Sequence, residues 1–146
     1  MNNINLRTSF LLKKKDIDVV CATPPITGKN LLEPLKSMAI EHGLPFKILE
    51  DHQVSNDAEV HLREGDLWYC LEGEASFVYG GALVEPQIKI RKDGTKDENE
   101  LFAKEISGGT EVMMTSGDWL WIPAGQAHQH SCAGTARFMI IKIPLQ

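Results

Sequence analysis

From Pro45 to Ile143 the sequence rarely holds one chemistry for long. Apolar and polar residues alternate in short runs, and glycine, proline, asparagine or aspartate interrupts them. Period two sends successive side chains to opposite faces, so each run predicts a half-buried strand rather than a helix. The expected strands are Pro45–Glu50, Ala58–Leu62, Leu67–Leu71, Glu74–Tyr79, Gln87–Arg91, Leu101–Ile106, Thr110–Met114, Trp119–Ile122, Ala127–Cys132 and Arg137–Ile143. Many short strands with turn residues between them imply a sandwich or barrel, and Glu72-Gly73 reads as a tight hairpin turn. The polar stretch Arg91–Glu100 reads as a solvated hairpin tip, with a lid or dimer arm as the alternative.

Before Pro45 the pattern differs. Ile17–Cys21 predicts a short strand, and Thr23-Pro-Pro-Ile-Thr-Gly28 breaks it. Asn30 followed by Glu33 has capping-box spacing, Pro34 suits a first helical turn, and Gly43 suits a helix end. Leu31, Leu32, Leu35, Met38 and Ala39 would form the apolar stripe of one amphipathic helix. The expected organisation is a single domain: residues 1–43 as an arm, short strand and helix packed on the rest, and residues 44–146 as the β-structure.

The formal net charge of −5 and the lack of a long basic run argue against nucleic acid or an anionic membrane as partner. No apolar run approaches the roughly 18 residues of a membrane span. The first residues lack a signal-peptide pattern, and Cys21, Cys70 and Cys132 are widely separated. A reduced cytoplasmic protein is expected.

Two segments carry the chemistry. Glu59-Val-His61 with Asp66 and Gly73 forms one, and Gly117, Pro123-Ala-Gly125 and His128 form the other. Together they offer two imidazoles and at least one carboxylate to one point. Their spacing resembles the paired motifs of the cupin superfamily, G-x5-HxH-x3,4-E-x6-G and G-x5-PxG-x2-H-x3-N. The chain departs from them at Gln53 for the first glycine, Glu59 for the first histidine, Asp66 for the glutamate and Cys132 for the last asparagine.

The resemblance implies a mainly β fold, a double-stranded β-helix (jelly-roll) barrel with one short N-terminal amphipathic helix. It also implies a divalent metal, Fe, Mn, Ni or Zn, held by His61, Asp66 and His128 with Glu59 as a fourth ligand. Glu64, of the same parity as Asp66, is the alternative carboxylate. His130 shares the face of His128 and is either an acid/base group or a polar rim residue. Trp68 and Arg63 are candidate pocket residues. A small-molecule ligand and a homodimer are the expected partners, the latter covering part of the Trp119/Trp121 strand. The resemblance leans towards non-haem dioxygenase chemistry. Sugar or sugar-acid isomerases, lyases and non-catalytic ligand binders remain alternatives.

Overall fold

A computed structural model describes residues 8–145, so the first part of the expected arm, residues 1–7, lies outside the described residues. The element order is α1 (Lys14–Cys21), β1 (Gly28–Leu31), α2 (Leu35–His42), β2 (Phe46–Ser55), β3 (Ala58–His61), β4 (Glu64–Glu72), β5 (Glu74–Tyr79), β6 (Ala82–Leu83), β7 (Gln87–Ile90), β8 (Lys96–Ala103), β9 (Ile106–Ser107), β10 (Thr110–Thr115), β11 (Trp119–Ile122) and β12 (His128–Pro144). The fold is mainly β, as the alternation predicts.

β12 organises the sheet. Its register with β2 shifts between Cys132 and Thr135, so two expected strands are one bent strand serving two layers. Its first residues pair with β3 and β5, and its later ones with β4 and β2. One layer therefore runs β1-β2-β12-β4-β11 and the other β7-β8-β3-β12-β5-β10, all antiparallel. Between them lies a core of Leu49, Trp68, Cys70, Phe77, Met114, Ile122, Phe138 and Ile140. Trp68, Phe77 and Phe138 meet edge to face, with Trp68 and Phe77 centroids 5.1 Å apart. Gly73 turns β4 into β5 at φ 76°, and a Cβ there would stand 2.0 Å from the Thr135 carbonyl oxygen.

Three expectations need correction. Ile17–Cys21 belongs to helix α1, so there are two short helices and not one. Val20 and Ile17 pack on Leu35 and Ile48, a helical spacing that uses the β-branched residues without a strand partner. Lys14 and Asp18 add a pair one turn apart, 2.7 Å between charged atoms.

Asn30 is no N-cap. It lies in β1 opposite Glu50, and α2 starts only after Pro34. Glu33 instead accepts the Ser37 backbone N–H at 2.7 Å, while Gly43 ends the helix at φ 63° as expected. β1 also means that residues before 44 contribute an edge strand to the barrel. Finally, Lys96–Glu100 is no part of a loose tip: it is the first half of β8, and β8 pairs with β3 through Glu100 opposite His61.

Arg137, buried at the β12 bend, fastens the N-terminal segment to this body. It donates to Glu50 at 2.8 Å, to Glu72 at 2.6 Å, to the Thr23 carbonyl at 2.6 Å and to the Cys21 carbonyl. Glu50 in turn accepts the Ile26 N–H at 3.1 Å.

Candidate metal centre

The two sequence motifs meet through the backbone first. The Pro123-Ala-Gly125 turn donates its Gly125 N–H to the His61 carbonyl at 2.8 Å. His128 stands directly opposite Glu59 in the β12–β3 ladder. His128 thus shares a layer with Glu59 and His61, and Asp66 comes across from the other layer on β4.

Four side chains converge between the layers. His61 Nε2 is 3.3 Å from Asp66 Oδ2 and 3.6 Å from Glu59 Oε2, and His128 Nε2 is 3.5 Å from the same Asp66 oxygen. Two donors each about 2.1 Å from one ion stand roughly 3.0–3.4 Å apart at tetrahedral or octahedral angles. The donor set fits a divalent cation for a second reason. Asp66 Oδ2 and His128 Nε2 are buried with no hydrogen-bond partner among the described residues. Leaving two polar atoms so is costly unless a further group lies between them.

The outer atoms are already engaged. His61 Nδ1 donates to Glu100, and His128 Nδ1 lies 3.4 Å from the Gln126 carbonyl oxygen, so both rings turn Nε2 to the centre. Lys142 donates to Asp66 Oδ1 at 2.7 Å and leaves Oδ2 free to face the imidazoles.

The electrostatics follow from these contacts. Burial opposes a charged His61, but its contacts with Asp66 and Glu100 raise its pKa to about 9. Burial likewise opposes ionised Asp66, but His61 and Lys142 hold its pKa down to about 2. Glu59, also against its burial, is lowered by Lys29, His61 and His128. Burial, with repulsion from His61, lowers His128 to about 4. At neutral pH three groups are in the state a cation needs, and His61 carries one proton too many.

The two candidate carboxylates separate here. Asp66 approaches both imidazoles through one oxygen, Glu59 groups with His61 and His128, and Glu64 groups with His61 and Glu100 instead. His130 is buried with its Nδ1 donating to Asp51, beside the Asn56 amide that also reaches Asp51 at 3.2 Å. Its ring stacks on Phe77 with centroids 5.2 Å apart, and it lines the cavity over the centre together with Trp68. Arg63 does neither. It is exposed in the β3–β4 turn, its carbonyl accepting the Leu145 N–H at 2.8 Å, and does not line that cavity.

Sequence reading missed Glu100 and Lys142. Each faces its partner only through strand register, His61 opposite Glu100 and Asp66 opposite Lys142.

Both motifs thus sit at the expected spacing on strands that close one end of a two-layer antiparallel barrel. The fold is mainly β, a curled antiparallel sheet consistent with the cupin-type barrel that the motif spacing implies. No protein-family model matches the chain, and no curated protein matches it. Among solved structures the chain is similar to a predicted oxalate decarboxylase from Thermotoga maritima, at 18% identity over 80% of this chain and 79% of that one, TM-score 0.49. It is also similar to hydroquinone 1,2-dioxygenase from Sphingomonas sp. TTNP3, at 10% identity over 70% and 61% of the two chains, TM-score 0.46. A third likeness is to the EutQ protein of Clostridium difficile, at 17% identity over 69% of this chain, TM-score 0.41. The chain spans about half of that protein's length, 52%. No helix among the described residues is long and apolar enough to cross a membrane.

Proposed function

We propose that the chain is a metal-dependent cupin that acts on a small polar molecule bound over the His61/Asp66/His128 centre. The observation that carries this reading is that Asp66 Oδ2 and His128 Nε2, 3.5 Å apart, are buried without a hydrogen bond among the described residues. His61, His128 and Asp66 would hold Fe, Mn, Ni or Zn. A bound ion of this kind supplies Lewis acidity or, as iron, redox chemistry with dioxygen. The protein's own contribution is positional. Glu100 and Lys142 fix the ligand atoms, Trp68 and the inner strands exclude water, and His130 moves a proton. With Nδ1 taken by Asp51, His130 has only Nε2 for a molecule in the cavity.

Two histidines and one carboxylate leave coordination positions open, which favours dioxygenase-type chemistry. A second reading rests on Glu59, which lies 3.6 Å from His61 Nε2 and is steadied by Lys29 at 3.3 Å. With Glu59 ligating, isomerase or lyase chemistry on a sugar or sugar acid, or ligand binding alone, is the better fit. Metal analysis of protein purified without chelators tests the common part. A stoichiometric ion, lost in His61→Ala and His128→Ala, supports it. No uptake of Fe, Mn, Ni or Zn would sink it. Oxygen consumption by the iron form separates the first chemistry from the second.

Trp119 and Trp121, 61% and 49% exposed, stand on the outer face of β11. We read them as surface covered by a second copy of the chain. Sedimentation of wild type against Trp119→Ser/Trp121→Ser should show a dimer in the first and a monomer in the second.

A further inference from the structure

The cavity over the metal centre has a volume of about 760 Å³, within the range of small-molecule sites. Its charge is the reverse of the chain's. The protein carries a net −5, yet six lysines line this cavity against four carboxylates. All four carboxylates are committed: Glu59 to Lys29 and His61, Asp66 and Glu64 to Lys142, and Glu100 to His61. Lys36, Lys47, Lys89 and Lys92 also line the cavity and have no salt-bridge partner among the described residues.

Lys47 is the most informative of them. It alternates along β2 with Leu49, which belongs to the core and lines the cavity, so its side chain occupies an interior strand position and is half-buried. Barrel interiors favour apolar residues there, so a half-buried lysine that lines the cavity without a salt-bridge partner among the described residues is a countercharge open to an anion. The β7–β8 hairpin adds Lys89 and Lys92 at the mouth. On the floor, Trp68 is 2% exposed, and its indole Nε1–H is buried with no acceptor among the described residues. Trp68 lines the same cavity, so its indole signal reports on an occupant.

We propose that the cavity selects an anionic small molecule, one bearing a carboxylate or phosphate group, with Lys47 as its principal countercharge. Lys36, Lys89 and Lys92 draw the anion in, and its carbon skeleton lies on Leu49 and Ile140. The inference rests on the reading that this cavity holds the small-molecule ligand, but the countercharge argument does not require the ion.

The test uses metal-free full-length protein titrated with succinate, inorganic phosphate and the neutral succinamide, following the indole N–H signals by NMR. Succinate or phosphate should move the Trp68 signal, the tighter of the two naming the group recognised, and succinamide should not. Lys47→Glu should weaken that binding at least tenfold and Lys47→Gln less, while Lys15→Glu on α1 leaves it unchanged. His128→Ala should keep the anion response while losing metal uptake, so failure of the metal reading and failure of this one look different. Succinamide binding as well as succinate, no response to either anion, or an affinity indifferent to both Lys47 variants would overturn the proposal.

Discussion

Glu100 grips the Nδ1 side of His61, so removing its charge loosens the proposed ion without deleting a ligand. Glu100→Gln should lower metal affinity about 10–100-fold with the fold intact, as changes behind a ligating histidine do; isothermal titration of both proteins measures it. The His61 proton makes a pH prediction. Its folded pKa of about 9 exceeds the ordinary 6.5, so in metal-free protein its contribution to stability is fully present below pH 6.5 and is lost as pH rises through 9. A metal must displace that proton, so affinity should climb with pH and level off above 9. His128 has the opposite sign. Lowered to about 4, it contributes stability above pH 6.5 that falls away as the pH drops towards 4. Gln53 occupies the place of a motif glycine, and its backbone lies in the left-handed region at φ 48°. Gln53→Gly should therefore stabilise the protein by about 1 kcal/mol in urea denaturation.

Arg137 is where one element is joined to the rest. Its guanidinium serves Glu50 and Glu72 on the barrel and the carbonyls of Cys21, which ends α1, and Thr23 beyond it, so Arg137→Ala leaves Glu50 buried without its charge partner. A cost of about 3–5 kcal/mol is expected, with faster proteolysis in the 22–27 segment. At this scale the sequence was legible wherever short-range pattern decides the outcome. Alternation located most strands, and motif spacing picked out His61, Asp66 and His128. It failed where tertiary partners decide. Ile17–Cys21 is too short and too β-branched for its period to distinguish strand from helix. Leu31 reads as helical because nothing nearby in sequence shows that it pairs with Leu49. Glu100 and Lys142 sit 39 and 76 residues from the side chains they hold. Only the completed register reveals them, and with them the lysine-lined cavity.

For the molecule as a whole, ion binding at a point that ties both layers together should read out as stability. At an ion concentration of about 1,000 times Kd the native state gains roughly 4 kcal/mol, so the melting temperature should rise with added metal in wild type and stay flat in His128→Ala. The bend in β12 has a different consequence. That strand pairs with β2, β3, β4 and β5 and so completes both layers. A ribosome delivers every earlier strand before it. Until residues 128–144 emerge, the nascent chain holds open edges on β2, β3, β4 and β5, the surfaces on which chains stick to one another. Folding is therefore a late event, dominated by contacts far apart in sequence and slow for its size. Chaperone dependence during synthesis should be greatest while β12 is still inside the exit tunnel.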